Sequence, residues 1–249
     1  MDFPTHRGRV AVVTGGARGF GRAISLGLAA RGADLAVLDL VEATETVEQI
    51  RGTGSQGMSV VADISDPEQV AVAAAEVLGR YNKVDIVVNN AGIIAINDFW
   101  DTDYETWRRI QRINLDSQFL VAKAFAGSMR NHGWGRIVNI ASNTVGIVAP
   151  QLTPYMASKG GVIGFTRGLA TDLAAHGITV NAVAPTASTT PGGEAAIAPE
   201  DLEYSAAHQA IKRVGTADDI VGTVCFLSSD DAAFMTGQTL VADGGWMRV

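Results

Sequence analysis

Apolar residues gather in short runs along the chain: Val10–Thr14, Leu35–Asp39, Ser59–Ala62, Ile86–Asn89, Ile137–Ile140, Thr179–Ala184 and Thr239–Val241. Most are rich in Val and Ile and apolar on both faces, which suits strands of a parallel sheet covered from both sides. The stretches between them read as helices, notably Gly21–Arg31, Pro67–Arg80, Tyr104–His132 and Tyr155–His176. Alternating β and α elements predict right-handed crossovers and an α/β fold with a doubly wound sheet. No linker, repeat or low-complexity break divides the sequence, so residues 1–249 are expected to form a single domain. The irregular region begins at Thr186 and is rich in Ala, Pro, Gly and Thr. A long connection after the sixth strand would lie at the carboxyl edge of the sheet, where a substrate lid over residues 186–212 is expected. A plain surface loop is the alternative.

Composition narrows the class. Hydrophobic residues make up 47% and charged residues 18%, enough apolar material for a large core. A formal net charge of −7 speaks against a nucleic-acid partner, which calls for clustered Lys and Arg. The single cysteine, Cys225, excludes an internal disulfide. It lies in an apolar stretch and reads as a buried, inert thiol. No secretory signal is visible before the first strand, and no apolar stretch reaches membrane-spanning length without charge or glycine. A soluble cytoplasmic protein is expected. The histidines, His6, His132, His176 and His208, show no metal-ligand spacing and are expected at the surface, His208 within the lid.

The first strand runs into "TGGARGFG", Thr14–Gly21, half of it glycine. Between a strand and a helix, such a loop exposes N–H groups to an anion. A P-loop would continue Gly-Lys-Ser/Thr, yet Arg22 and Ala23 follow Gly21, and Ala23 has no hydroxyl for Mg²⁺. A dinucleotide site predicts an acid ending the second strand, and Asp39 stands there. Asp39 would accept both ribose hydroxyls and repel a 2′-phosphate. Leu40 and Val41 follow it in place of a base, so NAD is expected over NADP. Arg18 would then pack on the adenine or point to solvent.

In "YMASK", Tyr155 and Lys159 share a helix face. A fixed ammonium can stabilise a phenolate and so make the pair a general acid/base. "GRIVNIAS" ends at Ser142 and "NNAG" at Gly92, both at strand ends. With T-G-x-x-x-G-x-G (Thr14, Gly15, Gly19, Gly21), Asp63 and Asn114, these motifs resemble the short-chain dehydrogenase/reductase family over nearly the whole chain. The resemblance implies a Rossmann-like seven-stranded parallel sheet with helices on both faces, forming one dinucleotide-binding and catalytic unit. It implies that Tyr155 is the proton donor or acceptor, and that Ser142 hydrogen-bonds the substrate oxygen. Lys159 would bind the nicotinamide ribose, and Asn114 would hold a water linking Lys159 to solvent. Cofactor contacts are implied for Gly15, Arg18, Gly19, Phe20, Gly21, Asp39, Leu40, Asp63, Ile64, Asn90, Ala91, Gly92, Tyr155, Lys159, Pro185, Ser188 and Thr190.

The stretch "APTASTT" departs from the family pattern, with Thr186 in place of glycine and Ser188 in place of Ile or Val. Thr190 falls where the nicotinamide-contacting Thr lies. The segments expected to line the pocket offer Ile93, Ile94, Ile96, Val145, Ile147, Val148, Leu152 and Ile197. A small hydrophobic secondary alcohol or ketone is the expected substrate. The stretches "NHGWGRIVNIAS" and "DDAAFMTGQTLVADGG" resemble bacterial phenylethanol-type alcohol dehydrogenases and also 3-oxoacyl-carrier-protein reductases using NADPH; the acidic balance and Asp39 speak against the second. An NAD-binding sensor would be expected to lack Ser142, Tyr155 or Lys159. The family's habit of burying its long helices between subunits, with Phe119, Phe125, Val162 and Phe165 on the helices here, predicts a homotetramer.

Overall fold

The computed structural model describes residues 5–190 and 197–248. The strands are β1 (Val10–Thr14), β2 (Asp34–Asp39), β3 (Gly57–Val61), β4 (Ile86–Asn89), β5 (Gly135–Ile140), β6 (Ile178–Pro185), β7 (Ser188–Thr189), β8 (Gly215–Thr216) and β9 (Thr239–Ala242). The helices are α1 (Gly19–Ala29), α2 (Thr44–Gly52), α3 (Pro67–Tyr81), α4 (Tyr104–Gln111), α5 (Ser117–His132), α6 (Thr153–Leu173), α7 (Pro199–His208) and α8 (Val221–Leu227). A seven-stranded sheet runs in the order β3-β2-β1-β4-β5-β6-β9. Each neighbouring pair in it is parallel.

The strands are apolar at both parities because both faces are covered. Val10, Val12, Leu38, Val87 and Ile137 pack with Val70 and Val77 of α3, Phe125 and Met129 of α5, and Ala170 of α6. Ala11, Val13, Leu35, Val88 and Val138 pack on the opposite face with Ile24 and Leu28 of α1 and Val224 of α8. The strand order reverses between β1 and β4, so the loops leaving their carboxyl ends diverge. That divergence opens a crevice where ligands of such sheets bind.

The structure revises the sequence reading in several places. The helix expected over Tyr104–His132 is interrupted by a π-helical turn at Arg112–Asp116. Helices α2, α7 and α8 were not anticipated. α8 is short and holds Gly222 and β-branched residues, which hide a helical period. His6 is fully buried rather than exposed. Its Nε2 lies 3.0 Å from Ser228 Oγ and its Nδ1 2.9 Å from Thr5 Oγ1. Ser228 Oγ donates to the Val224 carbonyl, so His6 donates from Nε2 and accepts at Nδ1. Burial lowers its pKa to about 4, which keeps it neutral. Cys225 is buried as expected, its thiol pushed up to about 11 by desolvation.

The region of the expected lid is a helix on a strand base. β7 pairs with β8 across its neck, Ser188 with Gly215, and α7 occupies its second half. Residues 191–196 of that lid lie outside the described residues.

Candidate active site

The glycine loop is pinned between two strand ends. Thr14 Oγ1 accepts the N–H groups of Asn90 and Ala91, both at 3.0 Å. Asn90 Nδ2 donates back to the carbonyls of Thr14 (2.8 Å) and Gly15 (3.2 Å). Gly15 and Gly19 have φ of +65° and +58°, a conformation that side chains disfavour. A Cβ on Gly15 would come within 2.9 Å of Ala91 Cα. No side chain caps the first turn of α1. Thr190 arches over the loop, its Cβ 3.5 Å from where a Gly19 Cβ would lie. Phe20 borders the loop and also the cleft described below.

At the end of β2, Asp39 Oδ2 accepts the Ala17 N–H at 2.9 Å. Among the described residues nothing donates to its Oδ1, which leaves an acceptor for a hydroxyl. Arg22 is already occupied, donating to the Ala17 carbonyl (2.6 Å) and pairing with Glu45 (2.9 Å). Arg18 and Leu40 are exposed. Asp63 caps its own turn through Ser65, at 2.7 and 2.8 Å, and the Ile64 side chain is in the core. The left-handed glycines, the uncapped helix start and the open Asp39 oxygen together fit a dinucleotide.

The catalytic candidates converge from three elements. Tyr155 and Lys159 lie one turn apart on α6, whose first turn is held by Gln111 donating to the Pro154 carbonyl at 2.9 Å. Lys159 is 3% exposed, and its Nζ donates to the Ile140 carbonyl at the end of β5 (2.7 Å). Ser142 follows β5, its Oγ accepting from Thr144 N (3.2 Å) and Thr144 Oγ1 (3.0 Å). Asn114 sits in the π-helical turn. Its side chain bonds both main-chain groups of Ile93, at 2.8 and 2.9 Å, and donates to Ser158 at 3.0 Å. Ser158 in turn donates to the Tyr155 carbonyl at 2.6 Å. A Cβ on Gly92 would lie 3.2 Å from Asn114 Oδ1 and 3.6 Å from Lys159 Nζ, so Asn114 and Lys159 face one another across this glycine.

Ser142 and Tyr155 open into a cleft of about 510 Å³. Of the expected wall residues, Ile94, Ile96, Ile147, Val148, Leu152 and Ile197 line it, whereas Ile93 and Val145 do not. Pro185, Thr186, Ala187 and Ser188 form another side. Ser188 Oγ turns to the Thr186 carbonyl at 3.1 Å. Among the described lining residues the one charged group is Asp201.

The family profile described as enoyl-(acyl carrier protein) reductase matches residues 15–247. The chain belongs to the short-chain dehydrogenase/reductase family. It is therefore an oxidoreductase acting on CH–OH groups with NAD(P). A 3-oxoacyl-[acyl-carrier-protein] reductase of Haemophilus influenzae is 37% identical over 240 residues, covering 96% of this chain and 98% of that protein. The 2-dehydro-3-deoxy-D-gluconate 5-dehydrogenase of Escherichia coli is 34% identical over 242 residues, 96% of each. A Beutenbergia cavernae protein assigned as an NAD(P)-dependent gluconate 5-dehydrogenase, with NADP at low occupancy, superposes with a TM-score of 0.91. It is 39% identical and covers 98% of each chain.

Several residues of this candidate site in the dehydrogenase/reductase fold were not indicated by the sequence. Tyr204, Asp201 and Trp246 line the cleft from α7 and the C-terminal turn. Tyr204 and Asp201 lie in the expected lid, but Trp246, next to the stretch ending at Gly245, carries no signal of its own. Asn143 was hidden behind Ser142.

Electrostatics at the pair differ from the simplest expectation. Burial pushes the Tyr155 phenol above its usual value, and hydrogen bonding with Ser142 draws it back. The expected depression by Lys159 is not among the causes of the shift: the ammonium lies 5.7 Å from the ring centroid and is turned to Ile140. Desolvation lowers Lys159 itself from 10.5 to about 8. Below about pH 8 the lysine is charged in both folded and unfolded chains, and the folded state carries the full burial penalty. Between about pH 8 and 10.5 the folded state sheds this proton first, so the penalty shrinks as pH rises. Lys159→Met removes the group. The unfolding free energy from denaturant titrations across that window should therefore move in favour of the native chain relative to Lys159→Met as pH rises, by up to about 3 kcal/mol. Parallel pH curves for the two proteins would contradict the burial of a charged Lys159.

Proposed function

We propose that this protein is an NAD-dependent oxidoreductase that interconverts a small hydrophobic secondary alcohol and its ketone. The observation that carries the reading is the cleft at Ser142 and Tyr155. Its walls are largely aliphatic, and no Lys or Arg stands among its described lining residues. Carboxylated or phosphorylated substrates would find no counter-ion there, and Asp201 would repel them. The reading takes residues 1–249 as one dinucleotide-binding and catalytic unit. The buried free thiol of Cys225 fits a cytoplasmic location, and among the described residues no helix is long and apolar enough to cross a membrane.

In this reading the nicotinamide, when bound, supplies or takes the hydride. Its pyrophosphate would lie on the loop from Gly15 to Gly21, and its adenosine ribose would meet Asp39 Oδ1. Asn90, Ala91 and Gly92 would border it, with Pro185, Ser188 and Thr190 opposite. The Ser142 hydroxyl holds the substrate oxygen. The Tyr155 hydroxyl delivers a proton to that oxygen in reduction and removes it in oxidation. Lys159 orients the ribose, and its charge favours the phenolate once the phenol has given up its proton. The Asn114 side chain, at the Gly92 crossing, faces Lys159 on the side from which a proton would be resupplied.

The NAD preference rests on charge. Asp39 would stand against a 2′-phosphate, and Arg22 is already engaged by Glu45 and Ala17. A second reading, a 3-oxoacyl-carrier-protein reductase using NADPH, is favoured by the similarity to the Haemophilus influenzae enzyme. Assays with acyl-carrier thioesters and with simple ketones separate the two.

A groove of about 440 Å³ between α5 and α6 supports a homotetramer. Phe119, Ala126, Phe165 and Leu169 line it, and Phe119 is 54% exposed. Phe125 and Val162 belong instead to the core of the subunit.

Tyr155→Phe is expected to lower turnover about 10²- to 10⁴-fold while cofactor binding persists, because the phenol oxygen alone relays the proton. A near-normal kcat would remove Tyr155 from the chemistry. Native kcat/KM should be much higher with NAD than with NADP, and Asp39→Ser should weaken the first and strengthen the second. Equal losses with both cofactors would show that Asp39 does not set the preference. Sedimentation at micromolar concentration should give a tetramer, and a stable monomer would refute that assembly.

A further inference from the structure

Asp243, just beyond β9, is buried yet takes no part in the steps above. Its Oδ1 accepts the N–H groups of Gly245 (2.9 Å) and Trp246 (3.1 Å). Its Oδ2 accepts the N–H of Met247 (2.7 Å) and the side-chain amide of Asn143 (3.2 Å). An acid that merely closed a turn would need the first three bonds. The fourth reaches the residue next to Ser142. The turn also closes against the segment after Ser142, because the Met247 sulfur rests on Gly146, where a Cβ would collide with it. On its far side, Ile211 of the arm returning from α7 donates to the Gly244 carbonyl at 2.9 Å.

Trp246 is the part of this turn that meets the cleft. Its ring stacks on His208 at 5.4 Å and meets Tyr204 edge-on at 6.0 Å. The carboxylate therefore joins the strand end that carries Ser142 to the Trp246 wall and, through that ring, to helix α7, which also lines the cleft.

We propose that Asp243 is a positioning residue: it fixes the Trp246 wall relative to Ser142 and so sets which ketones fit. A rigid aromatic wall in the same cleft as Ser142 favours a large apolar or aryl substituent on the carbonyl carbon. This rests on the reading of the cleft as the ketone site.

Asp243→Asn preserves size but not acceptance. Whichever way the amide is turned, its NH₂ meets N–H donors that the carboxylate now accepts. The KM for an aryl ketone such as acetophenone should rise about ten- to a hundredfold, as misplacement of a binding wall does. The KM for acetone and for NADH should stay nearly unchanged, so selectivity for the aryl ketone collapses. Amide hydrogen exchange at Gly245, Trp246 and Met247 should accelerate in the same variant. Trp246→Ala, which leaves the Asp243 bonds in place, should reproduce the selectivity loss without the faster exchange at Gly245. If Asp243→Asn does not fold, Trp246→Ala and Asn143→Ala carry the test, the latter giving a smaller loss of selectivity. Equal changes for both ketones, or faster exchange with unaltered selectivity, would overturn the proposal. If the native protein turned over neither ketone, the substrate reading would fail instead, which the exchange measurement on Asp243→Asn distinguishes.

Discussion

The hydroxyl of Thr14 holds two loops at the point where the sheet reverses. It accepts from Asn90 and Ala91, while Asn90 donates back to Thr14 and Gly15. Without such a bracket, chain segments leaving β1 and β4 in opposite directions would have no shared register beyond the last ladder bond. With it, the left-handed glycine backbone is fixed against the loop that leads to Gly92 and Ile93. Asp39 and Asn114 are referenced to that bracket. Asp39 reads its position from the Ala17 N–H, three residues into the loop. Asn114 reads its position from the two main-chain groups of Ile93. The π-helical turn then has a physical role. It breaks the regular ladder of the α4–α5 helix and lets Asn114 hold a strand-end loop instead of packing as a helix residue.

Lys159 shows the cost that the proposed catalytic arrangement imposes on stability. Removing an ammonium from water costs several kcal/mol unless donors find acceptors. The acceptor here is a strand-end carbonyl, Ile140, rather than a carboxylate. A carboxylate would satisfy the charge better, but would also neutralise the field that a phenolate at Tyr155 needs. A carbonyl dipole holds the amine in place while leaving its charge uncompensated. The same burial raises the phenol, so Tyr155 keeps its proton at neutral pH, and taking that proton away calls for a charge such as that of Lys159 beside the phenolate.

The strands were legible because burial on both faces writes the same apolar code at every position, and β1 and β4 match their expected limits. Tyr155, Lys159, Ser142 and the glycine loop were legible as spaced motifs, two of them four apart on one helix and the others just after strand ends, and the structure brings them to one edge of the sheet. What escaped the sequence depends on long-range contact. His6 looks like any polar N-terminal residue until Ser228, 222 positions away, supplies its partner. The interruption at Asn114 leaves no mark on helical periodicity, since Ile93 is what draws the side chain out. The second half of the expected lid reads as irregular, yet Pro199 at the first helical position and acidic residues in the first turn are the ordinary signals of a helix start. Those signals were present and were masked by the Ala, Pro and Gly composition around them.

The division between scaffold and walls follows the sheet. Groups that would hold a cofactor stand on strand ends and on the loops immediately after them, and their bonds are mostly to main chain. A main-chain partner is indifferent to neighbouring substitutions, so this half of the site can persist while the rest of the surface drifts. The cleft walls come instead from the segment after Ser142, from α7 and from the C-terminal turn. They meet through side chains: Tyr204, His208 and Trp246 in one aromatic stack, Met247 on Gly146, and Asn143 on Asp243. Side-chain contacts change with each substitution. A scaffold built this way can keep one reaction while exchanging the molecules on which it acts. The place to look for the identity of the alcohol is therefore the junction of these three segments rather than the motif residues.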